Sequence, residues 1–349
     1  MLDQRGPAPA TSPRLLDSRQ PSSTEVLMRL IGLAFVLAVS LALVPLAVEA
    51  QQAARIYRIG VLGPTAIAPS TDEAFRQGLD QFGYTDGRNL TIEYRDAEGA
   101  RLSDLAGDLV RLKVDAIWAR GPAAVNAAKR ATRTIPIVAI DLESDPVAAG
   151  FVRGLAQPGG NITGVFLDLP ELGGKQLQLL REIIPRLSRV AVLGDPVLNA
   201  PQFQGMEVAA RALAIEVQRQ EVRVVKDFDR ALDAARKGRA MGVLILSSPF
   251  VYSHRTQFGA LVVERRIPAV SMFAEFAAAG GLLAYGPSVP EAARRCGAYV
   301  GRILQGVKPG ELPIERPQTF ELAVNLKTAK ALGLTVPQSV LGRADKVIE

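Results

Sequence analysis

Asp115-Ala-Ile-Trp-Ala119 is an apolar run of the length of a buried strand, and Pro122 follows it at the start of a helical pattern over Ala123–Thr132. A second apolar run, Ile135-Pro-Ile-Val-Ala-Ile140, predicts the next strand. Proline is tolerated in the first helical turn, where its missing N–H would have no intrahelical partner. Two buried strands joined through a helix predict a parallel pair, because parallel neighbours need a long crossover.

The same alternation extends from this unit toward the N-terminus. Strands are predicted at Tyr57–Leu62 and Leu90–Arg95, and helices at Asp72–Phe82 and Leu102–Leu112. Gly83 follows the first of these helices as a C-terminal cap. Four strand–helix units in a row predict a parallel sheet with helices on both faces.

A second series starts after the turn residues Gln157-Pro-Gly-Gly-Asn161 and a short strand at Ile162–Leu167. Its helices are predicted at Leu172–Ile184, Gln202–Leu213, Phe228–Arg236 and Thr256–Arg265. Its strands are predicted at Val190–Leu193, Ile215–Val222, Val243–Leu246 and Pro268–Phe273. The predicted fold class is therefore α/β, with two doubly wound parallel-sheet lobes.

The boundaries of the two lobes are predicted from the places where the alternation of strands and helices is interrupted. We expect the N-terminal lobe to contain residues 55–165 plus about 281–310, and the C-terminal lobe residues 166–280 plus about 311–349. Strand Leu282–Tyr285 and helix Glu291–Leu304 would return to the first lobe, and strand Phe320–Val324 would recross to the second. Several crossings would form a hinge, and hinges of that kind close around ligands.

Residues 28–50 have the layout of a cleavable secretory signal. Arg29 gives a positive start, an apolar run follows, and Val48 and Ala50 are small residues at −3 and −1 of a cleavage site near Ala50. The alternative is a retained anchor, since the run is about long enough to span a bilayer. Without a cysteine at the cleavage site for a lipid anchor, the expected location is the periplasm. Residues 1–27 are predicted to be a disordered or mis-called extension.

Composition argues against several classes of function. The formal net charge is +6, and the basic residues are scattered, which favours a solvated surface over a nucleic-acid face. Cys296 and His254 are the single cysteine and histidine of the chain, so an internal disulfide and a thiolate metal cluster are excluded. We expect no cofactor, no metal and no catalysis. An exported α/β enzyme that uses His254 is the less favoured alternative.

Motifs spread along the chain carry a family resemblance. They include Ala74-Phe-Arg-Gln-Gly-Leu79, Ala131-Thr-Arg-Thr-Ile-Pro136, Asp145-Pro-Val147, Gln157-Pro-Gly-Gly-Asn-Ile-Thr-Gly164 and Asn325-Leu-Lys-Thr-Ala-Lys-Ala-Leu-Gly-Leu334. Over residues 55–349 the chain resembles the ABC transporter substrate-binding proteins of the type I periplasmic-binding fold, the group that includes binders of aromatic amino acids. The resemblance implies a soluble receptor, expected to be a monomer, that traps a small molecule between lobes and presents it to a membrane permease. A periplasmic sensor that serves a receptor is an open alternative.

One loop departs from the pattern of that family. Many relatives have a short Gly-Asp-Pro connection after the fourth strand. This chain has Asp141-Leu-Glu-Ser-Asp-Pro146, one residue longer and two acids richer. Because this loop should face the cleft, the departure bears directly on the class of ligand.

Ligands of open parallel sheets gather at the carboxyl ends of the strands. The residues that follow the predicted strands are therefore the candidate ligand-binding set: Thr65, Ser70, Arg120, Gly121, Pro122, Ala123, Asp141, Glu143, Ser144, Asp145, Asp195, Asn199, Ser247, Ser248, Tyr252, Phe273 and Glu275.

Three kinds of group in this set suggest a zwitterion such as an amino acid. The N–H groups of Ala123 and Ala124, at a helix start, could hold a carboxylate. Asp141 or Glu143 could hold an ammonium group, and an aromatic residue of the second lobe (Tyr252, Phe273 or Phe276) could stack on an apolar side chain.

Each candidate also has a structural alternative. Asp145 before Pro146 could be a helix N-cap, and Ser247-Ser248 could cap the next helix. Arg120 could pair with a ligand carboxylate or with the acidic loop beside it. Phe273 and Trp118 could belong to the core.

Overall fold

The computed structural model describes residues 55–97, 101–167 and 170–349. The predicted extension at residues 1–27 and the predicted signal at residues 28–50 lie outside this described part. Among the helices that are described, none combines the length and the apolar character needed to cross a membrane.

The first sheet has five parallel strands in the order β2-β1-β3-β4-β5. Their bounds are β1 Tyr57–Gly63, β2 Leu90–Asp96, β3 Ala116–Arg120, β4 Ile137–Asp141 and β5 Ile162–Phe166. Helices α1 (Pro69–Asp80), α2 (Leu102–Arg111) and α3 (Pro122–Ala131) connect the first four strands. Every residue of β4 is buried, which explains why its first four residues are all apolar rather than alternating.

The second sheet has seven strands in the order β12-β11-β10-β9-β8-β6-β7. Their bounds are β6 Arg189–Gly194, β7 Glu216–Glu221, β8 Gly242–Ile245, β9 Ala269–Ser271, β10 Leu283–Pro287, β11 Phe320–Asn325 and β12 Lys346–Ile348. Helices α4 to α8 span Pro170–Ile183, Ala200–Ala212, Val225–Lys237, Pro249–Glu264 and Ala274–Ala278. Only β10 and β11 are antiparallel among the strand pairs that the structure describes.

The C-terminal part of the chain links the two lobes. Helix α9 (Val289–Leu304) packs against α1 and the first sheet. Gly78 permits this close contact, because a Cβ there would lie 2.1 Å from the Arg294 carbonyl oxygen. The chain crosses between the lobes after β5, after β10 and before β11. Helices α10 (Leu326–Ala331) and α11 (Gln338–Leu341) follow β11.

Two details of the predicted boundaries are wrong. The strand expected to return to the first lobe is β10, which pairs with β9 and β11 in the second sheet, so only helix α9 returns. The position beside β5 is instead taken by Glu315, whose N–H donates to Gly164 O at 2.9 Å and whose carbonyl accepts from Phe166 N at 2.9 Å. Residues just after 311, expected in the second lobe, therefore extend the edge of the first sheet.

Each lobe has a stacked aromatic pair in its core. Phe75 of α1 lies over Trp118 of β3, with ring centroids 3.9 Å apart. Phe228 and Phe258, on α6 and α7, stack at the same spacing. Trp118 is fully buried by this packing, in agreement with its interpretation as a core residue.

Candidate functional site

The loops at the carboxyl ends of the two sheets face each other across a closed cleft. Three side-chain hydrogen bonds of 2.7 Å cross it, and they join Thr71 to Tyr252, Ser247 to Glu143, and Ser253 to Thr65. Each pair takes one residue from each lobe. The lobes are therefore in direct contact in this structure.

Two helix starts also meet at this cleft. Gly121 precedes α3 with φ at 80°, and a Cβ there would lie 2.6 Å from Cγ of Pro249, the first residue of α7. Ser248 caps α7 by accepting from Val251 N at 3.1 Å. The first N–H groups of a helix have no intrahelical partner and favour negative charge. The closed cleft thus holds two regions that attract an anionic group.

Two small cavities lie in the cleft. The Arg120 cavity, of about 60 Å³, is lined by Pro64, Thr65, Thr71, Arg120, Gly121, Ile140, Leu142, Glu143, Ser248, Pro249, Tyr252, Phe273 and Val289. The Gln202 cavity, of about 70 Å³, is lined by Leu142, Glu143, Leu167, Leu172, Gly173, Gln176, Pro201, Gln202, Ile245, Leu246, Ser247 and Met272. Leu142 and Glu143 line both, so the loop after β4 forms the wall between them.

Asp141 organises that loop from beneath. It is fully buried, and its Oδ1 accepts from the N–H groups of Glu143 at 3.0 Å and Ser144 at 3.1 Å. Burial raises the pKa of Asp141 above its usual range. Asp141 lines neither cavity, so its position supports the loop rather than a direct contact with a ligand in this closed form.

Glu143 is the acidic group that reaches the cleft. Its Oε1 accepts from Ser247 Oγ of the opposite lobe. Burial and the neighbouring charge of Asp141 raise the pKa of Glu143 to about 8. A positive group in either adjoining cavity would stabilise the ionised carboxylate, because it would replace the lost hydration with an opposite charge.

Arg120 has a partner that the sequence did not indicate. Its Nη2 donates to Thr65 O at 2.7 Å and to Asp96 Oδ1 at 2.5 Å, so the paired acid is at the end of β2 and not in the loop after β4. Gly63 makes room for the guanidinium, since a Cβ there would lie 2.2 Å from Nη2. Burial lowers the pKa of Arg120, and the charge of Asp96 opposes that shift. Its Nε is buried without a hydrogen-bond partner in the described part of the chain.

Comparison with known proteins identifies the family. Residues 68–348 match the sequence profile described as ABC transporter substrate binding protein. The chain belongs to this family. A curated relative, the tyrosine-binding protein of Clostridioides difficile, is 25% identical over 275 residues, which cover 76% of this chain and 78% of the relative.

Solved structures have the same architecture. A conserved domain protein from Vibrio cholerae matches with a TM-score of 0.75 and 26% identity, covering 84% of this chain and 100% of the other. A Streptococcus pneumonia ABC domain in complex with L-Trp gives a TM-score of 0.75 at 22% identity, with the same coverage. The predicted resemblance and the type I periplasmic-binding fold are confirmed. Proteins of this family are substrate-binding proteins rather than enzymes, and they bind small molecules outside the cytoplasm and work with an ABC permease.

The structure of this substrate-binding protein brings together about half of the candidate residues. Those that line the two cavities are Thr65, Arg120, Gly121, Glu143, Ser247, Ser248, Tyr252 and Phe273. Ser248 is also the predicted helix cap, and Phe273 is 2% exposed with its ring 4.9 Å from that of Tyr252. Pro122 and Ala123 start α3 behind Gly121, and Ser70 lies in the first turn of α1. None of these three residues lines either cavity.

The other candidates make contacts within the protein around the cleft. Asp145 Oδ1 accepts from Val147 N at 2.8 Å and Ala148 N at 3.1 Å, so it caps a turn and not the helix that Pro146 suggested. Asn199 donates to Ser247 O at 2.6 Å and accepts from Asp195 N. Ser144 lies on the loop that Asp141 organises. Glu275 pairs with Arg255 at 3.5 Å.

Several lining residues were missed because they lie on helices and not in loops. Thr71 is in the first turn of α1, Gln176 is on α4 and Gln202 starts α5. Gln202 Nε2 donates to Ser247 O at 3.3 Å, and its Oε1 accepts from Ser247 N at 3.1 Å. For Thr71 and Gln202 the signal in the sequence is a polar residue in the first turn of a helix that follows a buried strand.

The histidine does not form the pair that a serine hydrolase would need. His254 Nδ1 lies 2.9 Å from Phe250 O within α7. The neighbouring Ser253 hydroxyl donates to Thr65 Oγ1 and Pro249 O. The His254 ring is therefore bonded to the backbone of its own helix, and this arrangement does not support the alternative of an enzyme that uses His254.

Proposed function

We propose that this substrate-binding protein encloses a zwitterionic solute, an amino acid, between its lobes, with the ligand's ammonium group on Glu143. The observation that carries the proposal is the position of this carboxylate, buried in the cleft and shared by both cavities. The side-chain partner of Glu143 across the cleft is the neutral Ser247 hydroxyl, and Arg120 is paired with Asp96, so a ligand ammonium would compensate a carboxylate charge that is costly to bury.

The ligand carboxylate has a complementary place in the same cavity. Gly121 brings the start of α3, which favours negative charge, to the wall of this cavity, and Arg120 lines the same cavity with its positive charge. The two ends of a zwitterion would thus meet opposite charges within one compartment. The tyrosine-binding relative and the L-Trp complex support an amino acid as the ligand class.

Capture requires the lobes to separate first. Pockets for small ligands usually measure about 300–1,000 Å³, and each cavity here is far smaller. The three crossings would act as the hinge, and a ligand that contacts both lobes would shift the population toward the closed form. The hydrogen bonds that already cross the cleft, each worth about 0.5–1.5 kcal/mol, would add to closure.

The remaining features of the proposal concern the cellular role. Export by the signal at residues 28–50, with cleavage near Ala50, would place the protein in the periplasm. There it would act as a monomer without catalysis or nucleic-acid binding and deliver its ligand to the permease. N-terminal sequencing of protein recovered from the host periplasm tests the cleavage, and a start at Gln51 is the expected result.

A thermal-shift screen of the common L-amino acids tests the ligand class. A ligand present at about a hundred times its Kd adds about 2.7 kcal/mol to the free energy of unfolding, which raises the midpoint by roughly 5 °C or more. We expect at least one amino acid to do so. Glu143→Gln should lose most of the shift, whereas Asp145→Asn, outside both cavities, should keep it. The absence of a shift with every amino acid would reject the proposal.

A further inference from the structure

The Gln202 cavity differs in charge from its neighbour. It lies on the C-terminal-lobe side of the cleft between α4, the start of α5 and the end of β8, and Leu142 and Glu143 of the N-terminal lobe close it. Among its lining residues in the described part, Glu143 is the single charged one, and the walls include Leu172, Ile245 and Met272. The charged Arg120 and the starts of α3 and α7 line the other cavity. A ligand's charged groups would therefore remain on the Arg120 side of Glu143.

Two amide side chains give the Gln202 cavity a polar but uncharged part. Gln176 Nε2 donates to Tyr285 O at 2.8 Å, and Gln202 is hydrogen-bonded to the backbone of Ser247 in both directions. These bonds hold the amides in place. A wall of aliphatic side chains with fixed amides suits an uncharged group that is largely apolar and has a polar tip.

The Arg120 cavity offers little room for such a group. The Arg255 guanidinium lies over the Tyr252 ring at 4.0 Å from its centroid. Phe273 packs against the same ring at 4.9 Å, and the Tyr252 hydroxyl is bonded to Thr71. Because the aromatic residues of this cavity are already engaged with each other and with Arg255, stacking on a ligand would need their rearrangement.

The wall between the cavities is a side chain that a ligand is expected to move. The Glu143 carboxylate crosses the cleft to Ser247, and this contact separates the two spaces. If a ligand ammonium group pairs with the Glu143 carboxylate, that carboxylate no longer needs the hydrogen bond from Ser247. Opening this wall would join two cavities, each too small for an amino acid, into one elongated site.

We propose that the Gln202 cavity is the side-chain pocket of the ligand site. The ligand's charged end stays between Glu143 and the start of α3, and its side chain passes Glu143 into the C-terminal lobe. This inference rests on the proposed function and narrows it to amino acids with a large, uncharged side chain.

Isothermal titration with L-alanine, L-leucine, L-phenylalanine, L-tyrosine and L-tryptophan tests the assignment. Leu172→Trp should fill the pocket and weaken the largest binding ligand about tenfold or more, with less than a twofold change for the smallest one that binds. Met272→Ala, which enlarges the pocket, should shift the preference toward larger side chains. Leu105→Trp, a matched change of a half-buried leucine on α2, should leave every Kd unchanged.

The outcomes separate the two proposals. If amino acids bind but Leu172→Trp and Met272→Ala leave the ratio of large to small ligands unchanged, the pocket assignment is overturned and the proposed function stands. Equal weakening of all ligands by Leu172→Trp, with no change of preference in Met272→Ala, also overturns the pocket assignment alone. If no amino acid binds the unaltered protein, both proposals fail.

Discussion

The turns after β4 and β6 have the same sequence and the same local geometry. They differ in what precedes them, because the turn after β4 follows a short segment that brings an acid to the cleft. Asp145-Pro-Val147 and Asp195-Pro-Val197 each place an aspartate Oδ1 at 2.8 Å from the N–H of the valine. In the C-terminal lobe Asp195 directly follows the strand and faces Arg223 at 3.4 Å. In the N-terminal lobe residues 142–144 intervene, and they bring Glu143 to the opposite lobe. The turn stabilises the chain, and the three residues before it hold the acid that we propose binds the ligand.

The largest effect should follow from neutralising the inserted acid. Glu143→Gln keeps the shape of the side chain but removes the charge that would pair with a ligand ammonium. Truncating one partner of a buried charge pair costs about 2–5 kcal/mol, so the Kd for the amino acid should rise about 100-fold. Isothermal titration measures this. An unchanged Kd would mean that the loop before the turn is no more functional than its counterpart in the C-terminal lobe.

The second-largest effect should be a pH dependence of binding that comes from Glu143, before the turn after β4, and not from the turn after β6. The pKa of Glu143 is raised to about 8, so the ligand-free closed cleft holds its proton below that pH, and a ligand cation would displace it. Affinity should therefore increase by up to about tenfold per unit as the pH rises toward 8 and then level off. As the pH rises toward 8, the free energy of unfolding of the ligand-free protein should fall. The folded protein then gives up the stabilising proton on Glu143, which the unfolded chain has already lost at lower pH.

Titration in buffers of different ionisation enthalpy measures the released proton directly. The unaltered protein should release close to one proton per ligand at pH 6.5. Glu143→Gln should release none, and Asp195→Asn should behave like the unaltered protein. Proton release that persists in Glu143→Gln would assign the linkage to another group.

The aspartate that begins the inserted segment should matter mainly for stability. Asp141→Ala leaves the buried N–H group of Glu143 and the partly buried N–H group of Ser144 without their acceptor. An unsatisfied buried donor costs about 1–3 kcal/mol, so we expect a loss of about 2 kcal/mol in chemical denaturation. Asp141→Asn keeps an oxygen acceptor and should lose less. Equal stability of both variants and the unaltered protein would remove Asp141 from its supporting role.

The smallest effect is expected for the turn of the C-terminal lobe. Asp195→Ala removes the capping acceptor of the Val197 and Leu198 N–H groups, which are partly solvated. Capping changes of this kind cost about 1 kcal/mol. Ligand affinity should stay within twofold, and a larger loss of affinity would show that both turns serve the ligand.

The fold was predictable where the sequence carries local signals. Continuous apolar runs such as Ile135–Ile140 predict buried strands, and the helices between them predict that the strands are parallel. The prediction put the strand Leu283–Pro287 in the wrong sheet because it ended the second series at β9, whereas this strand continues that series beside β9 and also pairs with β11. Helix α7 begins at Pro249 rather than Thr256, and the capping pair Ser248-Pro249 was the signal for this start.

The site was predictable to the extent that it consists of loops at strand ends. That rule found Glu143, Gly121 and Tyr252, which the structure brings to one cavity. It could not assign the partner of Arg120, because Asp96 ends a strand two positions away in the sheet. It also missed Gln202, since the direction of a helical side chain depends on how the helix packs.

A disulfide across the cleft tests most directly whether a ligand must enter between moving lobes. The hydroxyls of Thr65 and Ser253 are 2.7 Å apart, and the native Cys296 is buried, so Thr65→Cys with Ser253→Cys offers one cross-lobe bridge. We predict that the oxidised double variant fails to bind any amino acid that the unaltered protein binds, and that a reductant restores binding. Undiminished binding by the oxidised, fully bridged protein would contradict it.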